Sequence, residues 1–123
     1  MPVIGIGVDV CDVARMASML RRTPAAAQRL FTDEELTAVG AGPARPARLA
    51  ARFAAKEAVI KALGGSVPGM AWHDVRVVGV GVAPTLDLGG TAAGAAAERG
   101  VVTWHLSLSH DAGIAVAMVV AES

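Results

Sequence analysis

Residues 2–10, "PVIGIGVDV", change character at every second position. This period of two predicts a β-strand with an apolar face formed by Ile4, Ile6, Val8 and Val10. The other face carries Val3, Gly5, Gly7 and Asp9. Because glycine has no side chain, that face permits close approach by another backbone or a ligand. We therefore expect the isoleucine and valine face to lie in the core and Asp9 to project from the opposite face.

Helical patterns follow in the first half of the chain. Apolar residues spaced three and four apart predict a helix over 12–22, with Arg15 and Arg22 beside the apolar stripe. Thr23 followed by proline predicts an N-cap and a short helix to about residue 30. Thr32 and Glu35 have the spacing of a capping box, which predicts a third helix. After a loop at 40–47, a longer helix is predicted over 48–63, where two glycines end it.

The second half of the chain is predicted to be mostly β-structure. The expected elements are strands over 72–80 and 84–88, a helix over 90–99, and strands over 101–109 and 112–121 joined by a turn at His110-Asp111. Helices followed by antiparallel strands indicate the α+β class. A length of 123 residues suggests a single domain, residues 1–123.

Composition excludes several classes of protein. The formal net charge is zero, so no basic field indicates nucleic-acid binding. The single cysteine, Cys11, cannot form an internal disulfide; we expect it to be a small core residue in a protein of the reducing cytoplasm. The first residues lack the basic segment of a signal peptide, and no apolar run is long enough to span a membrane.

The helix predicted over 48–63 carries charges that a buried helix does not need. Alanines cover much of it, and Lys56 projects within the apolar stripe between Leu49 and Leu63. One interpretation is a solvated Glu57–Lys61 pair, which contributes about 0.2–0.5 kcal/mol. The other is a ligand site, because removing charges from water is costly unless they are paired or bind a ligand.

Two carboxylates, Asp9 and Glu57, stand on two rigid elements. Asp9 alone could cap the following helix. Together with Glu57 it offers the hard oxygen ligands that Mg²⁺ combines with waters and substrate phosphates. Arg52, Lys56 and Lys61 on the same helix would then face phosphate oxygens.

The stretch "HLSLSHD" at 105–111 ends in polar residues. Ser109, His110 and Asp111 are consecutive, so their side chains diverge and do not form a hydrolytic triad. Two interpretations stay open: a polar turn, or a histidine that contacts phosphate or transfers a proton.

Four stretches, taken in order and spacing, resemble the holo-acyl-carrier-protein synthases, the small bacterial 4′-phosphopantetheinyl transferases. They are "GIGVDVCDVARM" (5–16), "RLFTDEEL" (29–36), "ARFAAKEAVIKALG" (51–64) and "HLSLSHD" (105–111). The resemblance implies a Mg²⁺-dependent transfer of the 4′-phosphopantetheine arm of coenzyme A to a serine of apo-acyl carrier protein. Adenosine 3′,5′-bisphosphate is the released product, and the reaction serves fatty acid or polyketide synthesis.

The resemblance also implies a role for each matching residue. Asp9 and Glu57 match the metal ligands, and Glu57, Lys61 and His110 the catalytic residues. Residues expected at coenzyme A are Arg52, Lys56, Lys61, Ser109 and His110. Arg15, with Arg21 and Arg22 nearby, is expected to dock the acidic carrier. The family is trimeric, with each active site between two subunits.

Two questions stay open from the sequence. The proton of the carrier serine passes either to Glu57 or to a water ordered by the carboxylates. Two other classes of protein are also conceivable, a coenzyme A-binding module without turnover and a structural trimer whose buried charges fix register.

Overall fold

The fold was analysed in a computed structural model, which describes residues 2–79 and 82–123. In these ranges the helices are α1 (Val13–Arg22), α2 (Ala26–Leu30), α3 (Asp33–Val39), α4 (Arg45–Ala62) and α5 (Gly90–Glu98). The strands are β1 (Val3–Asp12), β2 (Val75–Val78), β3 (Thr85–Leu88), β4 (Thr103–Asp111) and β5 (Ile114–Glu122). The α+β prediction is confirmed. None of the described helices is long and apolar enough to cross a membrane.

Several predicted boundaries differ from the structure. Helix α4 begins at Arg45, three residues early, because Pro46 fits its first turn. Thr23 does not cap α2; it follows α1, and its N–H donates to a carbonyl of that helix. The segment before β2 forms a 3₁₀ turn, Trp72–Asp74, and the predicted end of that strand, residue 80, lies outside the described residues.

The turn between the last two strands is also displaced. Ala112 and Gly113 form it, both with positive φ, of 51° and 78°. This is the backbone that a two-residue hairpin requires. The predicted turn at His110-Asp111 is therefore wrong, and both residues belong to β4.

Helix α4 lies directly on one face of the antiparallel sheet β1–β5–β4, while β2 and β3 form a separate hairpin. Gly5 and Gly7 make the close approach possible. A Cβ at Gly7 would stand 1.8 Å from the Ala58 carbonyl oxygen, and one at Gly5 would stand 2.0 Å from that of Ala62. Both positions require glycine for lack of space.

The predicted core face of β1 is wrong for the single chain. Ile6, Val8 and Val10 are exposed by 60%, 53% and 61%, and Met118 of β5 beside them by 48%. The glycine face is the inner one, because α4 needs the room that glycine leaves. The sheet therefore presents an apolar outer face along β1 and β5, formed by Ile6, Val8, Val10, Val116, Met118 and Val120. Beside it, the β4 residues in register are polar, namely His105, Ser107 and Ser109.

Candidate active site

Asp9, Glu57 and Lys61 meet where β1 passes the C-terminal half of α4. The Lys61 ammonium donates to Asp9 Oδ1 at 2.7 Å and to the Val8 carbonyl oxygen at 3.1 Å. The Asp9 side chain is 11% exposed and that of Lys61 is 52% exposed. Lys61 therefore pairs with Asp9 across the two elements, rather than forming the local Glu57–Lys61 pair considered from the sequence.

The second carboxylate, Glu57, is half-buried beside this pair. Burial raises its pKa, repulsion from Asp9 raises it further, and attraction to Lys61 lowers it. The hydrogen bond to Asp9 raises the pKa of Lys61. Two carboxylates thus stand close enough to repel each other, and one of them is paired with a half-exposed ammonium.

This donor set fits Mg²⁺. Asp9 and Glu57 supply hard oxygen ligands only, and the cation takes one or two carboxylates with waters and phosphates in its remaining positions. In residues 2–79 and 82–123 no group of three or more histidine, cysteine, aspartate or glutamate side chains could hold a metal ion. A protein-only metal cage therefore does not form within the described chain.

A cleft of about 510 Å³ opens in front of the two carboxylates. We call it the carboxylate cleft. Asp9, Glu57, Phe53, Arg15 and Arg22 are among the residues that line it, and Arg21 is exposed on the same helix without lining it. The structure thus brings two of the three predicted docking arginines to the mouth of the carboxylate site.

Helix α1 is positioned for this by its N-cap. The cap is Asp12, whose Oδ1 accepts the Arg15 N–H at 3.0 Å. Asp9 is therefore not the capping residue, and its carboxylate stays available to the cleft. Cys11 lies between the two aspartates, half-buried at the cleft wall, and burial raises the pKa of its thiol.

Lys56 does not face phosphate, and that prediction is wrong. Its side chain has no exposed area, and its ammonium donates to Glu35 Oε1 at 2.8 Å and to the carbonyl oxygens of Trp72 and Val75. The three donors of the ammonium are thereby used. Burial lowers the pKa of Lys56, and the hydrogen bond that its ammonium donates to Glu35 opposes that change.

Glu35 completes this buried pair from the capping box of α3. Its Oε1 also accepts the Thr32 N–H, and its Oε2 accepts the Val77 N–H at 3.0 Å. The charges of Lys56 and Glu35 thus tie α3, α4 and β2 together. The capping box that the sequence predicted is confirmed, but its glutamate has a second partner that sequence spacing did not indicate.

Arg52 lies on the opposite flank of α4 from Lys61. The two are nine residues apart, which at about 100° per residue separates them by about 180° around the helix. Arg52 lines a second cleft, of about 410 Å³, together with Arg48 and Leu108. We call it the arginine cleft. Within one chain, the predicted phosphate-binding cations therefore do not converge.

Ser109 and His110 are exposed near the end of β4, with side chains on opposite faces of the sheet. His110 is on the inner face, in register with Ala115 and, beyond it, Cys11. Leu108, two residues earlier on the same face, lines the arginine cleft. The strand order places β5 between this strand and Asp9. His110 therefore belongs to the Arg52 side of the molecule, and Ser109 to the polar row that β4 presents on the outer side of the sheet.

Sequence reasoning missed Arg48. It lines the arginine cleft one helical turn before Arg52, and the spacing of four residues was the available signal. The predicted helix began at residue 48, which put Arg48 at its N-terminal end, whereas α4 begins at Arg45 and Arg48 lies within the helix.

Comparison with known proteins gives consistent results. A sequence model of the 4′-phosphopantetheinyl transferase superfamily matches residues 5–119. A holo-[acyl-carrier-protein] synthase of Frankia casuarinae is 60% identical over the full length of both chains. The corresponding protein of Streptomyces coelicolor is 54% identical, with 99% of each chain covered.

Solved structures agree with the fold. The crystal structure of holo-[acyl-carrier-protein] synthase from Neisseria meningitidis superposes with a TM-score of 0.87 at 30% identity, covering 99% of this chain and 100% of that one. The enzyme from Bacillus anthracis, solved in complex with CoA (3′,5′-ADP), gives 0.79 at 30% identity, with 98% and 97% of the chains covered.

Proposed function

The chain belongs to the 4′-phosphopantetheinyl transferase superfamily, in its holo-[acyl-carrier-protein] synthase family, and we propose that it loads apo-acyl carrier protein from coenzyme A. In this reaction the carrier serine oxygen bonds to the phosphorus next to the pantetheine arm. The phosphoanhydride bond breaks, and adenosine 3′,5′-bisphosphate leaves with the electron pair. The observation that carries the proposal is the Asp9–Glu57–Lys61 cluster in a cleft flanked by arginines.

Asp9 and Glu57 would hold Mg²⁺, which when bound supplies charge neutralisation at the phosphates. Lys61 is half-exposed and already aimed at the carboxylates, so its ammonium would stabilise the charge that develops on the leaving phosphate. The serine proton passes to Glu57, or to a water that the carboxylates order.

We propose further that the active site is shared between subunits. Coenzyme A carries a pyrophosphate and a 3′-phosphate, and the carboxylate and arginine clefts lie on opposite flanks of α4. A chain that offers the carboxylate cleft to one neighbour and the arginine cleft to another would complete both. Asp9, Glu57 and Lys61 would come from one subunit, and Arg52 and His110 from the next.

The apolar outer face of the sheet is the surface that such an assembly would bury. Three of its β1 residues are more than half exposed in the single chain. Contiguous exposed apolar surface of this kind marks an interaction site. The family resemblance favours a closed ring of three, in which heterologous contacts repeat without leaving an open end. A single domain of residues 1–123 and a location in the cytoplasm stay predictions.

Mixing two inactive variants should restore activity if the site is shared. Glu57→Gln disables the carboxylate cleft and Arg52→Ala the arginine cleft. After subunit exchange, random mixing leaves about a quarter of the sites with both clefts intact, because each site takes one half from each neighbour. Transfer activity measured before and after exchange, with exchange verified by native mass spectrometry, checks this. Activity no higher than the mean of the two parents would place each site within one chain.

The arginines of α1 are proposed to dock the carrier. Arg15→Glu should raise the KM for apo-carrier by about tenfold and leave the affinity for coenzyme A unchanged, because a reversed charge at an interface repels an acidic partner. Arg29→Glu, an equal charge change on the exposed surface of α2, is the control. Steady-state kinetics and coenzyme A titration separate the two effects. An equal loss of both affinities contradicts the docking role.

One assay tests the proposed function itself. The protein is mixed with folded apo-carrier, coenzyme A and Mg²⁺, and the carrier is examined for the mass of an added phosphopantetheine. We expect the increment, and its loss on chelation of divalent cations. If the carrier mass is unchanged but the protein binds coenzyme A, the protein is a binding module without turnover. An unchanged carrier without bound coenzyme A would leave a structural assembly.

A further inference from the structure

Two arginines of α4, Arg48 and Arg52, line the arginine cleft. Arg48 and Arg52 are one helical turn apart on α4, so their side chains are neighbours on the same flank. The other walls are mainly apolar and include Ala38, Val82, Pro84 and Leu108. No carboxylate is among the described residues that line the cleft.

These two cations lack a counter-ion among the residues that the structure describes around the cleft. Burial lowers the pKa of Arg52, attraction from Glu35 raises it, and repulsion from Arg48 lowers it again. Glu35 is already engaged by Lys56 and two backbone N–H groups. Like charges at this spacing destabilise a helix in the absence of an anion.

The hydrogen-bonding capacity of the pair is mostly unused. A guanidinium has five N–H donors. Arg48 donates to the Val39 carbonyl oxygen at 3.1 Å, and Arg52 to the Arg48 carbonyl oxygen at 3.4 Å. Arg52 Nε is buried without a partner among the described residues. Several N–H groups are therefore left to bind an anion in the cleft.

We propose that Arg48 is a specificity-determining residue that binds the 3′-phosphate of coenzyme A together with Arg52. The enzyme would thereby favour coenzyme A over donors that lack the 3′-phosphate. The proposal rests on the proposed function, which assigns the pyrophosphate of the same molecule to Asp9, Glu57 and Lys61. The 3′-phosphate is the only other anionic group of coenzyme A. Two guanidinium groups match a phosphate monoester, because each presents paired donors to its oxygens.

Arg48→Gln tests the proposal, with Arg45→Gln as its matched control. Both substitutions remove one positive charge from the start of α4. Arg48→Gln also removes one hydrogen bond to the C-terminal end of α3, and Arg45→Gln removes two to α3 and its C-cap. Arg45 donates to the Leu36 and Gly40 carbonyl oxygens and does not line the cleft. Each variant is titrated by calorimetry with adenosine 3′,5′-bisphosphate and with adenosine 5′-monophosphate. Kinetics compare coenzyme A with its 3′-dephospho form.

We expect Arg48→Gln to weaken binding of the bisphosphate, and to raise the KM for coenzyme A, by about tenfold or more, the usual effect of losing hydrogen bonds to a charged group. Binding of the monophosphate, the KM for the 3′-dephospho donor and kcat should stay unchanged, as should all values for Arg45→Gln. Arg48→Lys keeps the charge and should recover part of the selectivity. It replaces Arg48→Gln as the test variant if Arg48→Gln lowers the melting temperature.

Equal losses with both nucleotides, or the same loss in Arg45→Gln, would overturn the assignment. The titrations need no turnover. If the wild-type protein binds the bisphosphate selectively and Arg48→Gln loses that selectivity, but the carrier stays unmodified, the proposed function fails while the assignment of Arg48 stands.

Discussion

Glu57→Gln is expected to lower kcat for phosphopantetheine transfer by about 10²–10⁴-fold, the range over which removal of a general acid or base acts. The change keeps the shape of the side chain and removes its charge and basicity. It therefore also weakens the proposed Mg²⁺ site, where Asp9 would be left as the one protein carboxylate. Single-turnover transfer to apo-carrier measures the chemical step, and circular dichroism checks the fold.

The matched control is Asp12→Asn, which removes a negative charge from the same cleft. Asparagine caps a helix about as well as aspartate, so α1 stays in place. We expect this variant to keep most of its activity. If Glu57→Gln also kept wild-type activity, the carboxylate pair would have no catalytic role. If both variants lost activity equally, the cleft would respond to its overall charge rather than to Glu57.

The second large effect concerns folding. Gly7→Ala should destabilise the protein by more than about 3 kcal/mol, the upper end of ordinary overpacking. The new Cβ would stand 1.8 Å from the carbonyl oxygen of Ala58, inside α4. A side-chain end could rotate away, but this atom is helix backbone. The helix could yield only by lifting off the sheet, which would also separate Lys61 from Asp9. Urea denaturation measures the free energy of unfolding.

Gly94→Ala is the control for this change. Gly94 lies in α5, and a Cβ at this position would have no other atom within 4 Å beyond its own helix backbone and chain neighbours. Alanine should stabilise this helix by about 0.5–1 kcal/mol, because glycine loses more backbone freedom on folding. If the change in unfolding free energy has opposite signs in the two variants, the requirement for glycine at position 7 comes from the lack of space against α4 and not from a general effect of replacing glycine. Unfolding free energies that rise in both variants would contradict the close-packing account.

The local signals in the sequence were sufficient for most elements. The capping box of Thr32 and Glu35, the two strands β2 and β3 and the long alanine-rich helix all appear in the structure. Each depends on neighbours in the chain. The pairing of Asp9 with Glu57 was also found from the sequence, since rigid elements carrying hard ligands and a family resemblance pointed to the same two residues.

For strand β1, the alternation of residues predicts the strand but not which of its faces is buried. Alternation divides the residues into two faces but does not say which face a helix covers. Because α4 needs close approach, it takes the glycine face, and the isoleucine and valine face is left outside. That decision is made by packing between elements distant in the chain.

The charges of α4 show the same division. Sequence alone determined that this helix carries more charge than a buried helix should, and that Asp9 and Glu57 belong together. Only the tertiary structure decided that Lys56 points inward to Glu35, Lys61 to Asp9 and Arg52 to the opposite flank. The physical reason is that the energy of a charged side chain depends on which groups contact it and on how much of it solvent reaches. Sequence spacing gives the direction in which a side chain leaves the helix axis. It does not give which neighbouring element, ligand or solvent that side chain contacts.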